Sequence, residues 1–175
     1  MTRSTLTLCL PVLLAACAAS APPAPAVPDK LQPRGSASLV AVVAARGVQV
    51  YECRAKKDPA AGVEWAFVAP EAELYDAQGA SVGKHYAGPH WESRDGSKLV
   101  GAVAARADAP QAGAIPWLLL TTKSVGPVGA FSRATHIQRV NTAGGVAPAS
   151  GCSADAIGKT VRVAYSADYR LLAAY

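Results

Sequence analysis

The apolar residues of this chain come in short runs cut by turn chemistry, and they do not recur at helical spacing. Leu39-Val40-Ala41-Val42-Val43 meets Arg46-Gly47, after which Val48 to Cys53 resumes. Trp65 to Val68 stops at Pro70, and Glu73-Leu74-Tyr75 runs into Asp76-Ala77-Gln78-Gly79. Lys98 to Ala104 follows Asp95-Gly96-Ser97, and Thr135 to Val140 alternates. Thr160 to Tyr165 alternates cleanly, with Val161, Val163 and Tyr165 on one side, as a strand with one buried face requires. Ile115 to Thr122 is apolar almost throughout, the pattern of a strand buried on both faces. Only Ser153 to Ile157, with Ser153 as a cap and Gly158 as a stop, has the marks of a helical turn. The expectation is an all-β chain: one antiparallel sandwich or barrel of short strands over residues 36–175.

Ahead of this domain stands a leader. Arg3 precedes a short apolar run, and Leu14-Ala15-Ala16-Cys17 follows it. The run is too short to span a bilayer, so residues 1–16 read as a signal peptide. The motif resembles the lipobox of bacterial lipoproteins, in which the cysteine is acylated and the leader is removed just before it. That resemblance implies a lipid on Cys17, and with Ala at position 18 it implies the outer membrane. Ordinary secretion, with cleavage after Ala19-Ser20-Ala21, is the alternative. Residues 17–35 then form the lipidated cysteine and a Pro/Ala-rich tether. In an extended polyproline conformation it reaches roughly 50 Å.

Cys9 leaves with the leader and Cys17 takes the lipid, which leaves Cys53 and Cys152. A pair in an oxidising compartment reads as a disulfide closing the domain; two buried free thiols are the alternative. The chain is mildly basic, at a formal +5. Its charges are scattered, without the basic stripe that a nucleic-acid partner requires. The partners expected are therefore the membrane, through the anchor, and an envelope glycan or protein ligand.

Several phrases then identify the domain. They are Gly47 to Cys53, Pro70 to Asp76, His85 to Glu92 with Asp95-Gly96-Ser97, Ile115 to Leu120, Ile137 to Gly145, Gly151-Cys152 and Tyr165 to Tyr169. In order, over nearly all of residues 36–175, they resemble the domain-of-unknown-function 3455 family of secreted bacterial and fungal proteins. One departure is Arg170-Leu171-Leu172, where further aromatic residues are expected. The resemblance implies an exported domain and no particular activity. A dehydrogenase would need a Gly-rich turn leading into a helix, and no helical pattern follows Gly144-Gly145.

The densest polar-aromatic cluster is His85, His90, Trp91, Glu92 and Asp95. Flat aromatic faces rimmed by acceptors suit ligand recognition from loops on a rigid scaffold. The competing reading makes Gly88-Pro89 a turn, packs Trp91 in the core and leaves the histidines as edge caps. As a metal site the cluster is poor, because residues 85 and 90 point to opposite sides of a straight strand. Ser97 with His85, His90 or His136 as base lacks the glycines of a nucleophile elbow. Asp168, between Tyr165 and Tyr169, reads as a buried carboxylate bonded to tyrosine hydroxyls. Asn141 to Gly145 reads as a loop. The function expected is that of an uncharacterised envelope lipoprotein, non-enzymatic, binding a ligand or partner without a cofactor. A hydrolase or metal-dependent enzyme using His85, His90 and His136 is the alternative.

Overall fold

A computed structural model describes residues 26–175. Their strands are β1 (Ala37–Ala55), β2 (Val63–Tyr75), β3 (Ser81–Tyr86), β4 (His90–Ser93), β5 (Lys98–Ala107), β6 (Trp117–Ser124), β7 (His136–Gly144) and β8 (Thr160–Ala174). Each pairs antiparallel with the next, and β8 returns to pair with β1 from Ala174 opposite Ala37 to Thr160 opposite Glu52. The result is a closed up-and-down barrel, which leaves no free sheet edge along its closing seam. Of the two expected architectures, the barrel is the one adopted. The helical turn expected near Ser153 is a single 3-10 turn, Ala154–Ala156, followed by Gly158 at positive φ.

Two expected breaks lie inside continuous strands. Arg46-Gly47 does not end a strand; β1 runs straight through it. Glycine is required there by contact: a Cβ on Gly47 would lie 2.1 Å from the Glu71 carbonyl oxygen on β2. Pro70 likewise sits within β2, opposite Gln49. The β2–β3 ladder begins only at Ala72, so the missing N–H of Pro70 removes no bond to β3. Asn141 to Gly145 is a bulged strand end, not a loop. The β7–β8 register slips between Val140 and Ala143, and Asn141 takes φ 51° at the slip.

Inside the barrel, Val43, Leu74, Trp91, Leu99, Leu118, Leu120, Ile137, Tyr169 and Leu171 form the main core. β6 is buried on both faces, as its composition requires. Leu118 and Leu120 point inward, while Trp117 and Leu119 lie outside under Leu31. Leu31 belongs to a 3-10 turn, Asp29–Leu31, and is fully buried; its carbonyl accepts from Gln138 Nε2 at 2.7 Å. Packing thus begins before Ser36, within the stretch read as tether.

Both barrel ends are closed. Phe131 and Ala134 plug one end. At the other, the segment 145–159 is fixed by the Cys53–Cys152 disulfide and by Trp65 Nε1 donating to the Ser150 carbonyl at 2.9 Å.

Candidate functional site

The barrel wall is incomplete. β3 and β4 are short and are joined across Ala87-Gly88-Pro89, whereas β2 and β5 continue well past that turn. β2 pairs with β3 only from Ala72 onward, and β5 pairs with β4 only as far as Val100. Between the free stretches, residues 63–71 of β2 and 101–107 of β5, no strand intervenes. A cavity of about 480 Å³ opens there into the barrel, within the range of about 300–1,000 Å³ common to small-molecule sites. Exposed Phe67 and Val68 stand on one side of the mouth and Val103 on the other.

The walls are largely apolar, with Trp91, Ile115, Leu118, Leu120 and Pro89 among them. Gly101 makes room for the floor, since a Cβ there would lie 2.8 Å from Trp91 Cζ3. Trp91 carries a stacked His85, with centroids 4.2 Å apart, and both meet Tyr169 edge-on. His85 Nδ1–H donates to the His90 carbonyl at 2.8 Å. Burial outweighs that bond and pushes the His85 imidazole down to about 3, so the ring is neutral.

The polar lining is one-sided. Arg106 and Arg139 both line the cavity, together with Gln49 and Tyr51, and no aspartate or glutamate does. Arg139 lies opposite Leu118 and Tyr169 on the inner face. Its Nε and Nη2 donate to the Pro116 carbonyl at 3.0 and 2.7 Å. No ion pair involves either arginine among the described residues. The Arg139 charge bears on Tyr51, Tyr165 and Tyr169, in each case opposing a larger upward push from burial. Gln49 Nε2 and Trp91 Nε1 are buried without a hydrogen-bond partner.

The cluster singled out in the sequence is divided by the β3–β4 hairpin. His85 and Trp91 pair across it and point into the cavity. Tyr86 and His90 pair one position on and stack on the outer face, with centroids 5.3 Å apart. Glu92 is also outside, where it accepts from Tyr86 Oη at 2.5 Å and pairs with Lys98 at 3.1 Å. Asp95 stands at the plugged end. It accepts from the Ser97 N–H and hydroxyl and from the Ala130 N–H. Those bonds hold its carboxyl well below the usual carboxylate range.

His136 sits on β7 opposite Thr121 and Leu172 and does not line the cavity. The three histidines therefore do not converge, and no group of His, Cys, Asp and Glu among the described residues is arranged to hold a metal. Ser97 is fully buried; its hydroxyl donates to Asp95 and accepts from the Phe131 N–H, with no histidine among its partners. Asp168 is not the carboxylate between tyrosines. It faces outward to accept from Asn141 Nδ2 at 2.6 Å, while the Tyr165 and Tyr169 hydroxyls face each other inside at 3.5 Å.

Sequence reasoning missed Gln49, Tyr51, Arg106, Arg139 and Tyr169 as a group. For Arg139 a signal existed. It shares strand parity with Ile137, a fully buried core residue, so alternation alone places a charge on the inward face.

A family model described as a protein of unknown function (DUF3455) matches residues 33–173. No curated protein and no solved structure matches the chain.

Proposed function

The chain belongs to the family of proteins of unknown function DUF3455, and we propose that it is a ligand-binding barrel held at the bacterial envelope. The cavity beside the short β3–β4 hairpin is the observation that carries this reading. An eight-stranded barrel has an interior that side chains can just fill. Here the wall gap beside the β3–β4 hairpin leaves it partly unfilled and open to solvent. Apolar walls with a few placed polar groups are the ordinary composition of a small-molecule site. From the cluster expected in the sequence, His85 and Trp91 belong to this site; His90, Glu92 and Asp95 serve the outer face and the plugged end. Lipidation at Cys17 would keep the barrel at the outer membrane, where an apolar ligand partitions.

A neutral apolar fluorophore, N-phenyl-1-naphthylamine, tests the cavity. The soluble chain from Ala18 should bind it saturably at one site with a rise in fluorescence. Leu118→Trp fills the inner wall and should abolish that binding while the far-ultraviolet β spectrum persists. Absence of saturable binding, or a Leu118→Trp variant that is folded and binds normally, overturns the reading.

A further inference from the structure

The geometry points to a ligand class: an apolar molecule with a single carboxylate head, bound with its tail against Trp91, Leu118 and Leu120 and its head toward Arg139 and Arg106. This rests on the cavity being a binding site and adds what the cavity selects.

The argument is one of unmatched donors. A half-buried guanidinium costs free energy unless an anion or a full set of acceptors meets it. Arg139 donates Nε and Nη2 to the Pro116 carbonyl, and the Tyr169 hydroxyl lies near its guanidinium but outside hydrogen-bond geometry. Its Nη1 side has no carboxylate partner among the described residues. Arg106 follows Leu118 across the β5–β6 ladder, as Arg139 does across the β6–β7 ladder, so both flank one inward-facing residue. Two further donors of cavity-lining residues, Gln49 Nε2 and Trp91 Nε1, are buried and unpartnered; the Tyr165 hydroxyl lies near the amide but outside hydrogen-bond geometry. Gln49 is 3 % exposed and Trp91 1 %, so water does not compensate either from outside the barrel. The two fully buried, unpartnered side-chain groups of the lining are thus donors, and the charged residues that line the cavity are both cations. No anion of the protein answers those cations, and a carboxylate supplies two oxygens in the planar arrangement that guanidinium groups engage most strongly. A cation would meet repulsion, and a neutral alcohol would leave the half-buried Arg139 charge without a counter-ion.

Arginine at these positions also has a simpler account: Arg139 ties β7 to Pro116, and Arg106 rests at the rim. The experiment separates the two by asking for selectivity. Decanoate, decanol and decyltrimethylammonium have the same chain length and are titrated as competitors of N-phenyl-1-naphthylamine. The wild-type chain should prefer decanoate to decanol by about ten- to a hundredfold, the range of a charge-assisted bond, and should take the ammonium compound least. Arg139→Met should bring decanoate and decanol to within about threefold. Arg106→Met, at an exposed position where folding is not at risk, should narrow the preference in the same direction.

Equal displacement by decanoate and decanol in the wild type overturns the carboxylate inference and leaves the cavity reading standing. A preference that survives both substitutions also overturns it. If the fluorophore itself does not bind, the cavity reading falls and this inference falls with it.

Discussion

His85 lies flat on Trp91, their ring planes 15° from parallel and their centroids 4.2 Å apart, at a pair of positions that face each other across the β3–β4 ladder. The pairing divides the four cluster residues on the hairpin into two sets and leaves Asp95 beyond it. Residues opposite one another share a face, and neighbours in sequence take the other. Trp91 therefore goes in with His85, and Glu92 goes out with Tyr86. The cavity floor is made of aromatic rings whose only ionisable nitrogen base, His85, is kept neutral by burial.

That neutrality has a consequence for acid stability. His85 titrates near 6.5 when exposed and is pushed down to about 3 in the fold. Between those values the unfolded chain binds the proton and the folded one does not. Stability contributed by the neutral ring is complete above about pH 6.5 and is lost as the pH falls toward 3, at a slope approaching about 1.4 kcal/mol per pH unit. Urea midpoints measured from pH 7.5 to pH 5 should fall in the wild type. His85→Phe should flatten that fall, and the residual slope reports His136, which burial lowers in the same direction, together with the paired carboxylates of Glu52, Glu71 and Glu92, which their hydrogen bonds lower. An unchanged slope in His85→Phe would mean that the ring is not held neutral.

Ser97 is a structural hydroxyl at the opposite end. It is fully buried and bridges the Asp95 carboxylate to the Phe131 N–H, so it locks the loop that plugs the barrel. Ser97→Ala leaves that N–H without its partner and should cost about 1–3 kcal/mol of unfolding free energy. Fluorophore affinity at the cavity should stay within about twofold, because each such bond acts at the plugged end. A hydrolytic role for Ser97 would show as loss of an ester-cleaving activity with unchanged stability, the reverse of this outcome.

The anchor is tested separately from the barrel, since residues 1–25 lie outside the described part of the chain. Expressed in a bacterium and fed labelled palmitate, the wild-type protein should take up label and sediment with outer membranes. Cys17→Ser should do neither and should appear in the soluble fraction. Ordinary secretion predicts that the two chains behave alike, both unlabelled and soluble.

Much of this fold was legible because a barrel strand obeys a two-residue period that the sequence displays openly. Thr160 to Tyr165 shows it, and so does the double-sided burial of Trp117 to Leu120. What escaped was non-local. Arg46-Gly47 has the composition of a turn, yet Gly47 exists because β2 passes within contact of it. Pro70 signals a break, but the missing neighbour on the β3 side removes its cost. The polar end of the cavity draws Gln49 from β1, Arg106 from β5 and Arg139 from β7. No local motif joins residues that far apart. Only strand order brings them together, and strand order is set by which edges meet when the barrel closes.

The disulfide joins the last residues of that closure. Cys53 ends the inward-facing row of β1, and Cys152 lies 99 residues later in the segment that covers the cavity end of the barrel. The same segment supplies the Ser150 carbonyl to Trp65 and the Gly145 carbonyl to Tyr51, the latter at 2.6 Å. Tyr51 lines the cavity, so the cross-link supports the binding site as well as the fold. A loop of this length is worth about 4–5 kcal/mol in the chain-entropy account. Cys53→Ala with Cys152→Ala should therefore lower the unfolding free energy by about 2–5 kcal/mol. In conditions where that double variant remains folded, fluorophore affinity should also drop by about threefold or more as the 145–159 segment loosens, and reductant should reproduce both effects in the wild type alone. Stability lost with affinity intact would confine the disulfide to the fold. If neither changes, the covering segment is held by its hydrogen bonds without the cross-link.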